Sequence, residues 1–282
     1  MDERKRFLVV GGGKMGEAIL AGWIASSAEP AEGIDAGAIT VVEPGDERRD
    51  FLAAVHGVSC VADVRDADAA DVVVLSVKPQ VMMSVLADLS ENPALAGEGG
   101  PLPLFVSIAA GLPTPRIEAA LPQGSALVRV MPNMPLSISA GASGVCGGAL
   151  ATQDQVRYVA DLFGCLGRAV VVDEDDMDVV CAISGSGPAY VAAMIEALRD
   201  AGAAEGLDAQ LAETLALQTV LGTAQLISQT NASVAATRES ICSPGGTTLA
   251  ALEAMAEAGF DDVFRAGVAA AVKRSKELAQ CC

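Results

Sequence analysis

Short apolar runs alternate with helical patterns over the first 173 residues of the chain. A continuous apolar run, such as VVVLSV at 72–77, is typical of a strand that is covered on both faces. The pattern predicts strands at 6–11, 39–43, 71–77, 103–111, 126–132, 142–148 and 168–173, with helices at 14–27, 47–55, 80–89 and 115–121. Such alternation indicates a doubly wound parallel sheet with right-handed crossovers, which is an α/β fold.

The pattern changes at the acidic run DEDDMD, residues 173–178. Beyond it we find helical periodicity and no convincing strand, with helices predicted at 188–203, 208–229, 231–240, 247–258 and 261–279. We interpret the acidic run as a solvated junction or a helix N-terminus rather than a patch that binds a partner. The sequence therefore predicts two domains, an α/β domain at 1–173 and an all-helical domain at 174–282.

Composition and charge narrow the possible partners. The chain is 51% apolar but only 3% aromatic, so its core must consist mainly of Ala, Val and Leu. A net charge of −18 argues against a nucleic-acid partner, because phosphate backbones require a basic surface. The longest apolar runs are too short to span a bilayer, and the N-terminal residues lack the pattern of a secretory signal. We expect a soluble cytoplasmic protein with no membrane partner.

The seven cysteines are scattered without the paired spacing of a metal site. Cys281 and Cys282 are adjacent, but we expect them at a frayed terminus. The other thiols are expected to be small, reduced and mostly buried. No metal site is predicted.

A glycine fingerprint follows the first predicted strand and opens the first predicted helix. Residues 11–16, GGGKMG, match G-x-G-x-x-G, in which the glycines permit a tight turn, close approach of a pyrophosphate and close packing of helix on strand. The helix N-terminus adds N–H donors for the phosphates. We therefore predict a Rossmann-type dinucleotide site that includes Gly11, Gly13, Lys14, Met15 and Gly16.

The residues after the second strand bear on the choice of cofactor. Glu43 ends that strand, where an acidic residue would bond the adenosine ribose hydroxyls and favour NADH. Arg48 and Arg49 follow closely and could instead meet the 2′-phosphate of NADPH, or all three could be plain surface charges. The cofactor is thus predicted as NADPH or NADH, with Glu43 leaning toward NADH.

Two further strand ends carry candidate cofactor contacts, because ligands of doubly wound sheets bind at the carboxyl ends of the strands. One is the segment Ser76, Val77, Lys78 and Pro79, and the other contains Asn133. Lys78 could also be an ordinary surface lysine. Arg129, isolated within an apolar strand, must pair with another group, for structural or functional reasons.

Side chains suited to strong general acid catalysis are scarce. No lysine lies between residues 79 and 272, and the single histidine, His56, is expected at the surface. A dehydrogenase that relies on a lysine or histidine acid is therefore disfavoured. Hydride transfer to an imine that is already protonated fits better, because the iminium carbon accepts hydride directly.

Several motifs occur in an order that resembles the pyrroline-5-carboxylate reductase family. They are GGGKMG, SVKP, SIAAG (107–111), VRVMPNMP (128–135), SGSGPAY (184–190), LALQTVLGTA (215–224) and SPGGTT (243–248). The resemblance implies reduction of L-1-pyrroline-5-carboxylate to L-proline with NADPH or NADH. It also implies a homodimer formed through the helical domain, which can assemble further.

The SPGGTT segment interrupts a helix-forming, alanine-rich region, and the resemblance places the substrate there. Pro244 ends the preceding helix, and Gly245 and Gly246 allow backbone N–H groups to converge on a carboxylate. Thr247 or Thr248 is predicted as the N-cap of the next helix. The predicted substrate-binding residues are Ser243, Gly245, Gly246, Thr247 and Thr248, with Thr248 assigned by analogy to the imine nitrogen as the catalytic residue.

Two alternatives remain open on the sequence. One is a reductase that acts on another cyclic imine or on a 2-hydroxy acid. The other is a nicotinamide-binding interaction protein without turnover, in which the helical domain serves assembly.

Overall fold

Residues 5–26, 34–98, 100–230 and 232–281 are described by the computed structural model, and within them eight strands form one sheet. The strands are β1 (Phe7–Val10), β2 (Ile39–Val42), β3 (Ser59–Val61), β4 (Val72–Leu75), β5 (Leu104–Ser107), β6 (Ala126–Met131), β7 (Gly141–Gly147) and β8 (Gly167–Val171). Their order across the sheet is β3-β2-β1-β4-β5-β6-β7-β8. The chain reverses its direction of winding after β3, which places β1 and β4 side by side.

Helices connect and follow these strands. They are α1 (Lys14–Ser26), α2 (Asp46–His56), α3 (Pro79–Ser90), α4 (Thr114–Glu118), α5 (Gln153–Gly164), α6 (Met177–Val180), α7 (Gly187–Ala204), α8 (Ala209–Thr230), α9 (Val234–Ile241), α10 (Thr247–Glu257) and α11 (Phe260–Cys281). Shorter 3₁₀ segments occur at Ala36–Ala38, Val64–Asp66, Met134–Ile138 and Glu174–Asp176, and a π-helical turn at Cys181–Gly185. The ends of two predicted helices, residues 27 and 231, lie outside the described residues.

The predicted parallel sheet is confirmed for β1 to β6 and needs correction beyond them. The strand β7 pairs with β6 in the antiparallel sense, and β8 is parallel to β7. Only residues 132–140 join β6 to β7, which is too short for a crossover between parallel strands. The pattern also gave no sign of the short edge strand β3 or of α5, although Thr152 and Gln155 form a capping box at the start of α5.

Both faces of the central strands are buried, as their continuous apolar runs indicate, whereas the edge strand β8 is largely exposed. In β1, Phe7 and Val9 point into one core cluster, and Leu8 and Val10 point into the other. On the first face, Trp23 of α1 packs 5.6 Å from the ring of Phe7. Its indole N–H donates a hydrogen bond to the carbonyl of Leu162 (2.7 Å). Phe7 and Trp23 are thus buried within a largely aliphatic core.

The described residues form two compact units. The first unit runs to Ser186 and includes the chain from Ala271 onward, and the second unit spans Gly187–Ala270. Within the first unit, Met177 of α6 is fully buried, and the hydroxyl of Ser275 donates to Asp178 Oδ1 (2.5 Å). The predicted domain division at 173/174 stays a prediction, because these two units are defined by packing alone.

The second unit is entirely helical, as predicted, and has little core of its own. The helices α7 and α8 pack against each other through small side chains, and Ala212 and Ala216 are its buried apolar residues. Many large apolar side chains remain exposed, among them Leu198, Leu211, Leu215, Leu217, Leu221, Leu226, Val234 and Val263. The helical stretch 174–204 meets the length and composition of a membrane span, and little of it is buried.

Replacing Leu86 by alanine tests the core described above. Leu86 lies in α3 and is completely buried, so Leu86→Ala should lower the free energy of unfolding by about 2–5 kcal/mol. The fluorescence of Trp23, the single tryptophan, reports the transition during denaturant unfolding. The matched control is Leu150→Ala at a side chain that is 58% exposed, where the loss should stay within about 0.5 kcal/mol. Equal losses at both positions would contradict the packing.

Candidate functional site

The turn between β1 and α1 is held so tightly that its first glycine has no substitute. Gly11 has φ of +106°, and its N–H donates to the carbonyl of Val42 (2.9 Å). A Cβ atom at Gly11 would lie 2.8 Å from the carbonyl oxygen of Ser76. The positive φ and the close approach to the end of β4 both require glycine here.

The other two fingerprint glycines differ in what surrounds them. A Cβ at Gly16 would collide with the carbonyl of Gly11 and lie 2.6 Å from Ser76 Oγ, so this glycine lets α1 pack on the turn. A Cβ at Gly13 would have no atom of the described chain within 4 Å. Internal packing therefore does not explain Gly13, whereas a bound pyrophosphate would.

The first turn of α1 offers backbone donors beside this open space. Lys14 and Met15 begin the helix, and the first intrahelical bond runs from the N–H of Glu17 to the carbonyl of Gly13 (2.9 Å). The N–H groups ahead of Glu17 are left for an anion, which the helix dipole also attracts. Lys14 is exposed and Met15 packs against the core. The residues present therefore fit the diphosphate of a dinucleotide.

The segment after β4 supports the turn from the other side. The hydroxyl of Ser76 donates to the carbonyl of Gly11 (2.5 Å), and its N–H donates to Val10 (2.9 Å). The side chain of Val77 lies beside Gly11. Lys78 is the exposed N-cap of α3, and Pro79 is the first residue of that helix. Ser76 thus stabilises the glycine turn, while the side chain of Lys78 remains exposed to solvent.

Glu43 lies directly after β2, and its carboxylate is fixed by two backbone amides. Oε2 accepts from the N–H of Gly12 (3.2 Å), and Oε1 accepts from the N–H of Gly45 (3.1 Å). Sequence reasoning missed Gly12, at which a Cβ would lie 2.6 Å from Leu52 and 3.1 Å from Glu43 Oε2. Three consecutive glycines are the available signal, since the fingerprint itself leaves this position unrestricted.

Both arginines near Glu43 have partners within the chain. Arg48 donates from Nε to the carbonyl of Gly12 (2.7 Å) and from Nη2 to Glu17 Oε2 (2.5 Å). Arg49 donates to the carbonyl of Glu43 (2.8 Å) and pairs with Asp46. The two guanidinium groups therefore brace the glycine turn and the start of α2.

The prediction that His56 lies at the surface is wrong. It is the last residue of α2, its side chain is 14% exposed, and Nε2 lies 3.1 Å from Glu17 Oε1. Burial raises the pKa of the Glu17 carboxyl, but hydrogen bonds from Arg48 and His56 outweigh burial and hold this pKa below its usual value. The contact joins positions 39 residues apart, which a local pattern does not reveal.

Asn133 is buried, and both ends of its amide are engaged. Nδ2 donates to the carbonyl of Ser184 (3.0 Å), and Oδ1 accepts from the N–H of Ala142 (2.9 Å). These bonds tie the end of β6 to β7 and to the π-helical turn. They account for a buried amide on structural grounds, and a contact of Asn133 with the cofactor stays a prediction.

Arg129 has the ion-pair partner that its apolar surroundings require, as predicted. Nη1 donates to Glu174 Oε1 (2.6 Å), and the Cys146 thiol donates to Glu174 Oε2 (3.0 Å). Burial raises the pKa of that thiol far above its usual range, and Glu174 raises it further. Cys146 is therefore unsuited to nucleophilic chemistry. Among the side chains that the structure describes, which do not include those of Cys281 and Cys282, no three His, Cys, Asp or Glu are grouped to hold a metal.

The SPGGTT segment forms a tight turn followed by a helix. The N–H of Gly246 donates to the carbonyl of Ser243 (3.0 Å), and Gly245 has φ of +70°, as a type II turn with Pro244 before it requires. The helix α10 begins at Thr247, and its N-cap is Gly246. The predicted threonine N-cap is therefore wrong. Glycine also adopts the extended backbone conformation of an N-cap residue. The general preference for hydroxyl side chains at the N-cap therefore leads to a prediction one residue too late.

The backbone N–H groups at the start of α10 consequently remain available as hydrogen-bond donors. No side chain of the described chain caps this helix end, and the first intrahelical bond into the turn runs from Ala250 to Gly246 (3.3 Å). Thr247 is exposed and Thr248 is half-buried. A short stretch thus presents backbone N–H groups and two hydroxyls without a charged side chain.

Comparison with known proteins finds relatives that match nearly the whole chain. The family model described as pyrroline-5-carboxylate reductase dimerisation matches residues 174–278, and the model described as NADP oxidoreductase, coenzyme F420-dependent, matches residues 6–111. A pyrroline-5-carboxylate reductase of Synechocystis sp. is 42% identical, covering 96% of this chain and 97% of the relative. One from Methanosarcina acetivorans is 38% identical and covers 98% of each.

Solved structures give the same picture. A pyrroline-5-carboxylate reductase from Coxiella burnetii superposes with a TM-score of 0.86 at 36% identity, covering 98% of this chain and 99% of that one. The Plasmodium falciparum pyrroline carboxylate reductase, solved with NADP bound, gives a TM-score of 0.81 at 29% identity with the same coverage. The similarity therefore extends over both units of the chain.

The contrast between Gly13 and Gly16 can be tested directly. We expect Gly13→Val to leave thermal stability near that of the wild type but to weaken dinucleotide binding by about tenfold or more, because each lost bond to a charged phosphate contributes about 1.5–3 kcal/mol. Gly16→Ala should instead destabilise the protein by about 1–3 kcal/mol through overpacking. Fluorescence titration with the reduced cofactor and thermal unfolding measure the two effects. Undiminished binding of the dinucleotide by Gly13→Val would show that its phosphates do not bind at this turn.

Proposed function

The chain belongs to the pyrroline-5-carboxylate reductase family, and from that premise we propose which of its residues bind the cofactor, bind the substrate and promote the reaction. The enzyme reduces L-1-pyrroline-5-carboxylate to L-proline by hydride transfer from NADH or NADPH, the last step of proline biosynthesis. The observation that carries the residue assignment is the open space at Gly13, inside a turn whose other glycines are packed.

The cofactor is proposed to bind at the carboxyl ends of β1, β2 and β4. Gly11, Gly13 and Gly16 shape the turn, and the N–H groups of Lys14 and Met15 face the diphosphate. The remaining proposed contacts are Glu43, Ser76, Val77, Lys78, Pro79 and Asn133. When bound, the reduced nicotinamide supplies the hydride. The Plasmodium falciparum relative with NADP bound keeps NADPH as a candidate beside NADH.

The substrate carboxylate is proposed to bind at the turn before α10. Gly245 and Gly246 let the backbone approach it, and the uncapped N–H groups at the start of α10 donate to it. Ser243 and Thr247 add hydroxyl groups on either side of the turn. Neutral donors suit a protein with a net charge of −18, since they bind an anion without adding cations.

The reaction requires no strong acid from the chain. The protonated imine already carries the proton on nitrogen, so addition of hydride to the neighbouring carbon gives the neutral secondary amine. That amine then takes a proton from water. We propose that the Thr248 hydroxyl oxygen accepts a hydrogen bond from the protonated imine nitrogen and orients the ring for attack. Orientation and desolvation then supply most of the acceleration.

The helical domain, proposed as residues 174–282 after an α/β domain at 1–173, is assigned to homodimer formation. The described part of the second unit exposes many large leucine and valine side chains, and extensive exposed apolar surface marks sites of protein association. A second copy of the same surface would cover them in an isologous interface. The exposed apolar side chains within the stretch 174–204 are proposed to lie in that interface rather than in a membrane, and the protein is proposed to be cytoplasmic.

Cell fractionation and light scattering test the assembly. We expect the protein in the soluble fraction without detergent, with a mass of at least twice the 28.5 kDa of one chain. A monomer in solution, or recovery only from the membrane fraction, would contradict the proposal.

A spectrophotometric assay tests the function. Purified protein is mixed with pyrroline-5-carboxylate and either NADH or NADPH, and loss of the reduced nicotinamide absorbance is followed together with the appearance of proline. A panel of other cyclic imines and 2-hydroxy acids controls for a different substrate. Tight cofactor binding with no oxidation across the panel would favour a non-catalytic interaction protein instead.

The role of Thr248 can be separated from that of its neighbour. Thr248→Ala should lower kcat/KM for pyrroline-5-carboxylate by about tenfold to a hundredfold, because a hydrogen bond to a charged group contributes about 1.5–3 kcal/mol. The dissociation constant of the cofactor should change little. Thr247→Ala makes the same truncation one residue earlier and should cost less. An unchanged rate in Thr248→Ala would remove this hydroxyl from the reaction.

A further inference from the structure

We infer that Glu43 makes this enzyme select NADH over NADPH. The inference rests on the proposed cofactor site and goes beyond it by choosing between the two nucleotides. In Rossmann domains the residue at the end of β2 faces the adenosine ribose, where a carboxylate bonds the hydroxyls and an arginine accommodates a 2′-phosphate. The contacts of Glu43, Arg48 and Arg49 all favour the first arrangement.

The carboxylate of Glu43 is held in place rather than free to turn away. Its two oxygens accept from the N–H groups of Gly12 and Gly45, one on the glycine turn and one on the turn into α2. A 2′-phosphate brought next to it would place a charge of about −1.5 to −2 beside a fixed negative group. At a partly exposed site, like charges a few ångströms apart repel by about 1 kcal/mol or more per unit of charge.

The arginines that could offset this repulsion are already engaged. Arg48 bridges the carbonyl of Gly12 and the carboxylate of Glu17, and Arg49 bridges the carbonyl of Glu43 and Asp46. Turning either guanidinium toward a phosphate would break an ion pair and a backbone bond together. Moving Arg48 would also leave Glu17 bonded only to His56.

The N-terminus of α2 does not provide a substitute anion site. Its first turn carries Asp46 and Glu47, whose carboxylates already offset the partial positive charge at the helix N-terminus. Residues 43–50 hold four carboxylates and two guanidinium groups, so the local charge is negative. A neutral ribose with free hydroxyls suits this surrounding better than a phosphorylated one.

Calorimetric binding of ADP-ribose and 2′-phospho-ADP-ribose tests the inference without turnover. The wild type should bind the unphosphorylated fragment about tenfold tighter or more, a difference of about 1.4 kcal/mol. Glu43→Gln removes the negative charge and keeps the shape of the side chain, so it should reduce or reverse the preference for ADP-ribose. Asp154→Asn makes the same charge change on α5, which packs against β8 at the opposite edge of the sheet, and should leave the ratio unchanged.

Equal or tighter binding of the phosphorylated fragment by the wild type would overturn the inference, and so would an unchanged ratio in Glu43→Gln. The wild-type ratio needs no variant, so a Glu43→Gln protein that unfolds leaves the inference falsifiable. Failure of both fragments to bind would overturn the proposed cofactor site itself, and it is distinguishable because it affects both ligands alike. The ratio of kcat/KM for NADH and NADPH should follow the binding ratio.

Discussion

Close backbone approach between the ends of β1 and β4 is the constraint on which the cofactor site depends. The turn at Gly11 passes so near Ser76 that a side chain is excluded, and α1 begins so near the turn that Gly16 is required as well. The Ser76 hydroxyl fixes the turn by bonding the Gly11 carbonyl. With these contacts in place, the first N–H groups of α1 face open space at Gly13. The surface that we propose for the phosphates is therefore formed by the backbone, at the carboxyl ends of the buried central strands.

The same solution recurs at the turn before α10. There a positive φ at Gly245 and an uncapped helix end again offer N–H groups instead of cations. The carboxylate site proposed at this turn suits a strongly acidic chain, because local backbone dipoles can attract an anion while the long-range charge remains negative. It also fits the chemistry, since reduction of a protonated imine needs a placed carboxylate and a placed ring rather than a strong acid. The lack of a lysine between residues 79 and 272 is consistent with such a reaction.

Sequence reasoning succeeded where the signal is local and failed where it depends on distant partners. The strand before Gly11, the glycine turn and the helical second unit follow from periodicity and from residue types that tolerate few alternatives. The antiparallel direction of β7 is already implied by the short connection between its predicted strand and the one before it, a local signal that the prediction did not use. The pairing of His56 with Glu17 depends instead on how α1 and α2 pack. The N-cap of α10 was misassigned because Gly246 and the two threonines are all acceptable there by type. Backbone geometry selects among them.

Isotope transfer tests the central claim most directly. The enzyme would convert pyrroline-5-carboxylate in the presence of reduced cofactor carrying deuterium at both C4 positions, and the product would be examined by mass spectrometry and NMR. Direct hydride transfer predicts proline with a single deuterium on the ring carbon that was the imine carbon. Proline without deuterium, or no proline despite bound cofactor, would contradict the account.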